Sequence, residues 1–326
     1  MRYFTVCLLL IFSPLLWADD MRPASLTIKR VDASTYDVTW KVPIKKGVLP
    51  SLSVVFDSET NIVSPAHSQQ KNNAMIRYWT FQSESGLAGS TISIEGLKGS
   101  TYQVLLRIIG NDQRTITTML NTENTDYVVP QSEAAAMEDT AVIYSVYGIE
   151  HILVGFDHLL FVACLVYISR TRRKLFWAIS GFTLAHSITL ILAATDTLTV
   201  PIGPVEAVIA LSIVFLACEI TKNKKSSLSF RYPVLVSSSF GLLHGFGFAS
   251  VLADIGLPET EKLLALLCFN LGVEIGQLLF VAVLFLSFIL LSRFCKPLTV
   301  DALRLPASYF CGSLATIWMF ERLAAF

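Results

Sequence analysis

The chain has 326 residues and balances 25 basic against 25 acidic side chains, so its formal charge is zero and nothing favours nucleic acid as a partner. Its 53% hydrophobic content hides two unlike halves: residues 20 to about 130 are mixed and polar, whereas 141 to 326 are mostly apolar runs. Length and composition allow one soluble domain joined to one membrane domain.

The opening MRYFTVCLLLIFSPLLWA has Arg2, an apolar stretch of about 14 residues, and Ala18 ahead of Asp19 and Asp20. A span needs about 20 residues, so the stretch reads as a secretory signal peptide, 1–18. Cys7 would leave with it. The other cysteines (Cys164, Cys218, Cys268, Cys295, Cys311) lie in or beside the apolar half, so no disulfide framework holds the exported domain, 19–130. Within that domain, apolar residues alternate over SLTIKRV, TYDVTWKV, SLSVVF, MIRYWTF, STISIEG, TYQVLLRII and RTITTML, and Gly110-Asn111-Asp112 is the turn of a hairpin. About seven short strands in about 100 residues predict an all-β sandwich of immunoglobulin-like type. It offers only His67, with Met75 and Met119 scattered, so a scaffold or a docking module for an extracytoplasmic protein is expected rather than metal capture. QSEAAAMEDT, 131–140, reads as a linker.

Apolar runs near 142–168, 175–194, 203–220, 232–253, 263–290 and 305–323 are each long enough to cross a bilayer, predicting six transmembrane helices over 141–326. RTRRK (170–174) and Lys222–Arg231 carry four basic residues each, and Arg293–Arg304 carries three; the alternate loops carry one lysine in total. Basic loops stay in the cytoplasm, which puts both the amino-terminal domain and the carboxyl terminus outside.

Four of the five histidines fall in the predicted spans: His151 and His158 in the first, His186 in the second, His244 in the fourth. At about 1.5 Å rise per residue, His158, His186 and His244 share a layer roughly 15–19 Å from the inner surface. Glu150, Glu206 and Glu274 fall in the outer half, near His151. Asn270, Glu274 and Gln277 follow i, i+4, i+7 and share a helix face, while Ser187 adjoins His186. His151 and His158 lie on one face about 10 Å apart along the axis, too far to hold one ion without a helix break. Gly155 between them either permits such a break or simply leaves space. The reading preferred from the sequence is two stations on one path: an outer one with His151 and the glutamates, an inner one with Asp157, His158, His186 and His244. Ionisable residues within spans cost free energy and mark ion or proton pathways.

Imidazole and carboxylate donors suit nickel, cobalt or zinc better than calcium or magnesium. No phosphate-binding GxxxxGK[ST] loop is present to couple ATP hydrolysis; a dication moving down 100 mV gains about 4.6 kcal/mol, enough to drive secondary transport. Two rivals stand beside a non-enzymatic permease. One is an intramembrane hydrolase using His186-Ser187, Ser237-Ser238-Ser239 near His244, or a zinc ion, although neither HExxH nor GxSxG occurs. The other is a non-catalytic assembly or sensory protein. Gly148 to His151 and Gly241 to His244 also repeat a Gly-x-x-His pattern, and Phe182-x-Leu184-Ala185 repeats in Phe269-x-Leu271-Gly272, as expected of two inverted three-span repeats.

His151-x5-Asp157-His158 with Gly155, FTLAHSITL (182–190), FGLLHGFGFAS (240–250) and FNLGVEIGQ (269–277) resemble the HupE/UreJ family of hydrogenase- and urease-associated membrane proteins, regarded as nickel or cobalt permeases. The resemblance covers about 141–292. It implies that His151, Asp157, His158 and His244 handle the metal, and it implies a multi-pass protein of a bacterial-type inner membrane. Permeases of the family often carry a second histidine and an acid where this chain has Gly247 and Phe248, and the simplest members lack the large exported β-domain. The chain thus resembles a divergent branch.

Overall fold

The computed structural model describes residues 23–44, 48–57, 60–71, 74–110, 115–131, 137–195, 197–198, 200–255, 262–294 and 299–324. The expected signal peptide, the 111–112 turn and residues 132–136 of the expected linker lie outside them. The chain divides into two compact units, one formed by Arg22–Tyr144 with Val251–Ala265, the other containing Ser145–Ser250 and Leu266–Phe326.

The first unit holds β1 (Ala24–Arg30), β2 (Thr35–Pro43), β3 (Ser53–Phe56), β4 (Asn61–Lys71), β5 (Ala74–Gln82), β6 (Thr91–Glu95), β7 (Val104–Ile109), β8 (Thr115–Leu120) and β9 (Asp126–Val128). They form a six-stranded sheet ordered β4-β5-β2-β1-β7-β8 and a three-stranded sheet ordered β3-β6-β9. The alternation seen in the sequence sets which face is buried: Tyr36, Val38, Trp40 and Val42 of β2 all point inward. Leu26, Ile28, Trp40 and Phe81 of the larger sheet share one core with Ile92 and Ile94 of the smaller, so the sheets pack face to face. β1 pairs antiparallel with β2 and parallel with β7, and β7 forms the expected antiparallel hairpin with β8. In the β1–β2 turn, Asp32 Oδ1 accepts the Ser34 and Thr35 amides at 2.9 and 2.8 Å. Those donors, Ser34 first, hold its carboxyl below the ordinary aspartate value.

The sequence runs miss β4 and β9. NIVSPAHSQQK has no apolar alternation because the side chains of residues 61–70 are exposed; backbone pairing with β5 alone keeps it extended, with register shifts around Pro65. His67 sits on that exposed strand.

The helices are α1 (Met137–Val154), α2 (Phe156–Ser169), α3 (Arg172–Ala194), α4 (Ile202–Lys222), the short α5 (Leu228–Arg231), α6 (Pro233–Ile255), α7 (Lys262–Phe294) and α8 (Val300–Leu323). Helix α1 starts inside the segment read as a linker. Among the described residues α3, α4 and α7 are long and apolar enough to cross a membrane, and the bent pair α1–α2 makes a fourth crossing if counted as one span. The apolar runs at 232–253 and 305–323 are occupied by α6 and α8, whose described parts do not reach that measure by length and composition.

Within the second unit α8 runs antiparallel along α4, and arginines secure both ends. Arg304 Nη1 donates to the Thr221 carbonyl at 2.8 Å, meeting otherwise unpaired oxygens at the α4 C-terminus, and Arg322 Nη1 donates to the Glu206 carbonyl at 2.9 Å. Small residues let other helices touch. A Cβ on Gly148 of α1 would strike the Phe269 carbonyl of α7, and one on Gly241 of α6 would strike the Phe182 carbonyl of α3.

Gly148→Ala must therefore part α1 from α7. A fall in the thermal-unfolding midpoint of the detergent-solubilised protein, corresponding to about 1–3 kcal/mol, is expected; an unchanged midpoint contradicts this packing.

Candidate metal centre

The first apolar run is not one helix. It breaks at Gly155, and α2 leaves α1 at 75°. The ladder of each helix reaches the corner residue, Gly155 N–H donating to His151 O (2.9 Å) and Leu159 N–H to Gly155 O (3.1 Å), while Asp157 Oδ1 takes the His158 amide at 2.8 Å. Gly155 has an ordinary negative φ of −70°. What the corner needs is space: a Cβ there would lie 2.8 Å from both His151 O and His158 Nδ1.

The bend removes the separation that an unbroken helix imposes. The rings of His151 and His158 come to 4.9 Å between centroids, and each lies 6.4 Å from His186 of α3. One ring nitrogen from each of the three lies within 4.8 Å of the others, and all three side chains are buried. Where the sequence suggests two levels, one cluster forms, with His151 in it. Nitrogens around a tetrahedral ion bound at about 2.0–2.1 Å sit about 3.3 Å apart, so an ion would draw this slightly open seat inward. His244 of α6 packs against His158 at 5.1 Å but stands outside the three-nitrogen group.

Hydrogen-bonded neighbours fix which nitrogen carries the proton in His186 and His244. Asn270 Nδ2 donates to Leu266 O at 2.8 Å, so its Oδ1, 3.2 Å from His186 Nδ1, must accept a proton from that ring. His186 Nε2 is left with a lone pair. Ser212 Oγ donates to Ile209 O at 2.6 Å and accepts from His244 Nε2 at 3.2 Å, leaving the His244 Nδ1 lone pair. Asp157 Oδ1 lies 2.9 Å from His158 Nδ1, off the line of a straight hydrogen bond, and favours the proton on that nitrogen. His151 Nε2, both ring nitrogens of His158, His186 Nε2 and His244 Nδ1 are buried without a hydrogen-bond partner among the described residues. Leaving such groups unpaired is costly, and lone pairs oriented from behind are what a transition-metal ion takes.

The acids stand apart from the three-nitrogen group. Glu274 accepts from Ser180 Oγ at 2.6 Å, and Glu206 lies 3.9 Å from Arg322 Nε. Glu150, next to His151, is half-buried. Gln277 accepts from Thr183 Oγ1 at 3.0 Å, so the Asn270, Glu274 and Gln277 face lies along α3. Ser187 Oγ donates to Thr183 O at 2.7 Å, and Ser237 Oγ to Ala178 O at 2.8 Å; their protons are on backbone carbonyls rather than imidazoles. Aromatic rings wall the cluster, Phe248 at 4.1 Å from His151 and stacked on Phe269, and Phe161 and Phe182 at 5.1 and 5.0 Å from His244.

Ser212 and Arg322 lie outside the sequence expectation. Ser212 is one of many span serines, with no signal of its own. Arg322 carries a weak one, a fixed charge just inside the end of an apolar run.

Helices long and apolar enough to cross a membrane, with three buried imidazoles among them that could hold a metal ion, are those of a membrane protein with a candidate metal site. The HupE / UreJ protein family matches residues 126–322, more than half of the chain, and the chain belongs to that family. No curated protein matches it.

Gly155→Ala is expected to weaken cobalt(II) binding by the solubilised protein by ten-fold or more, because the new methyl pushes against a backbone carbonyl and the His158 ring. Titration by visible absorption measures it, and wild-type affinity would show that the corner tolerates the methyl.

Proposed function

We propose that this chain is a permease for a divalent transition-metal ion, nickel or cobalt before zinc, working by secondary transport across a bacterial-type inner membrane. The observation that carries the reading is the three-imidazole cluster made by the broken helix, with ring nitrogens buried and unpartnered among the described residues, in a member of the HupE/UreJ family. His151, His158 and His186 are the ligands, and His244 stands next to them as a further station. Asn270 and Asp157 orient His186 and His158 from behind. Glu150, Glu206, Glu274, Gln277 and Ser187 are polar positions along the approach.

Six crossings, α1–α2, α3, α4, α6, α7 and α8, fit this role, with the β-domain and carboxyl terminus outside. The arrangement of small residues supports two inverted three-span units. Gly148 of the first crossing meets Phe269 of the fifth, Gly241 of the fourth meets Phe182 of the second, and these are the residues whose motifs correspond in sequence. The β-domain is read as an immunoglobulin-like docking module for an extracytoplasmic protein.

In proteoliposomes with an inside-negative potential, the wild-type protein is expected to accumulate nickel or cobalt, and His158→Ala to abolish uptake while remaining in the membrane. Full uptake by that variant would remove the ligand assignment. A reporter fused after Phe326 is expected to be active outside the cytoplasm; a cytoplasmic signal would mean an odd number of crossings.

A further inference from the structure

Arg322 has no place in the ligand set, because a guanidinium cannot bind a cation. Nor is it at a free surface: its side chain is 15% exposed, and each of its donors is directed. Nη1 donates to the Glu206 carbonyl at 2.9 Å, Nε lies 3.9 Å from the Glu206 carboxylate, and Nη2 reaches Asp157 Oδ2 at 3.3 Å. Asp157 is thereby occupied on both oxygens, Oδ2 by Arg322 and Oδ1 by the His158 amide and ring. A continuous chain of contacts runs from the start of α4, through the end of α8, to the corner of the broken span and on to one ligand ring.

We infer that Arg322 is a positioning residue of the metal seat, holding Asp157 behind His158 so that the carboxylate orients the ring instead of entering the seat. The inference rests on the permease reading above. Two physical requirements meet in the arrangement. A buried carboxylate needs a compensating charge beside it. A positive group near a cation seat must in turn be screened, and here a carboxylate flanks it on each side. Two carboxylates and one guanidinium leave one formal negative charge beside neutral imidazoles, which attracts a dication. Arginine suits the position better than lysine because three of its nitrogens each address a different acceptor.

The test is cobalt(II) titration of the full-length solubilised chain, followed by the visible bands that report coordination. Arg322→Gln should weaken apparent affinity ten- to a hundred-fold and alter the bands, the range typical of losing an outer partner of a ligating histidine. Arg322→Lys, which keeps the charge, should recover most of the loss. In an Asp157→Asn background, Arg322→Gln should cost nothing further, since the residue through which it acts is already neutral. Wild-type affinity and bands in Arg322→Gln, or an equal loss with and without Asp157, would overturn the inference. If Arg322→Gln does not fold, the double variant, which removes both charges together, is compared with Asp157→Asn alone: equal affinity and bands are expected, and a further loss in the double variant would overturn the inference. Failure of the wild-type chain to bind cobalt at all would instead overturn the permease reading, and this inference with it.

Discussion

A helix inside a bilayer cannot stop without satisfying the backbone groups it releases, because each one left bare costs several kcal/mol. The corner at Gly155 meets part of that constraint with its own residues: the Gly155 amide closes the first helix on His151 O, Gly155 O accepts the Leu159 amide of the second, and Asp157 covers the His158 amide. The remaining features of the site depend on it. The first-turn carboxylate that takes the His158 amide is the one beside the His158 ring, and the missing Cβ that allows the turn is also what leaves room for that ring. One local rearrangement converts two histidines a helix would hold about 10 Å apart into neighbours.

The second unit is tied together by polar contacts between helices rather than by apolar packing alone. Ser180 to Glu274, Thr183 to Gln277 and His186 to Asn270 form a ladder between α3 and α7, and the arginines of α8 secure both ends of α4. In hydrocarbon such pairs give registry that interchangeable apolar side chains do not. The histidine cluster sits between elements whose relative positions are therefore fixed, as a ligand site needs.

Much of this was legible in the sequence, for physical reasons that differ by element. Alternation in β2 marks its buried face because a pleated strand has period two, and β4 escaped because an exposed strand held by backbone pairing carries no such pattern. The i, i+4, i+7 spacing of Asn270, Glu274 and Gln277 correctly puts them on one face, since helix periodicity survives inside a membrane. The cost of burying ionisable groups singles out the four histidines. What periodicity could not convey was the bend: Gly155 is compatible with a kink, a packing gap or a straight helix, and only the positions of His151 and His158 in space choose among them. Arg322 was missed because its partner Asp157 is 165 residues away, and no local pattern announces so distant a pair.

The central claim is that three imidazoles, gathered by a broken span, hold the transported ion. X-ray absorption at the nickel edge on the metal-loaded full-length protein tests it most directly. The account predicts nitrogen scatterers at about 2.0–2.1 Å with the outer-shell pattern of three imidazoles, reduced by one in His186→Ala. A shell of oxygen atoms without imidazole scattering, or a spectrum unchanged by His186→Ala, would contradict it.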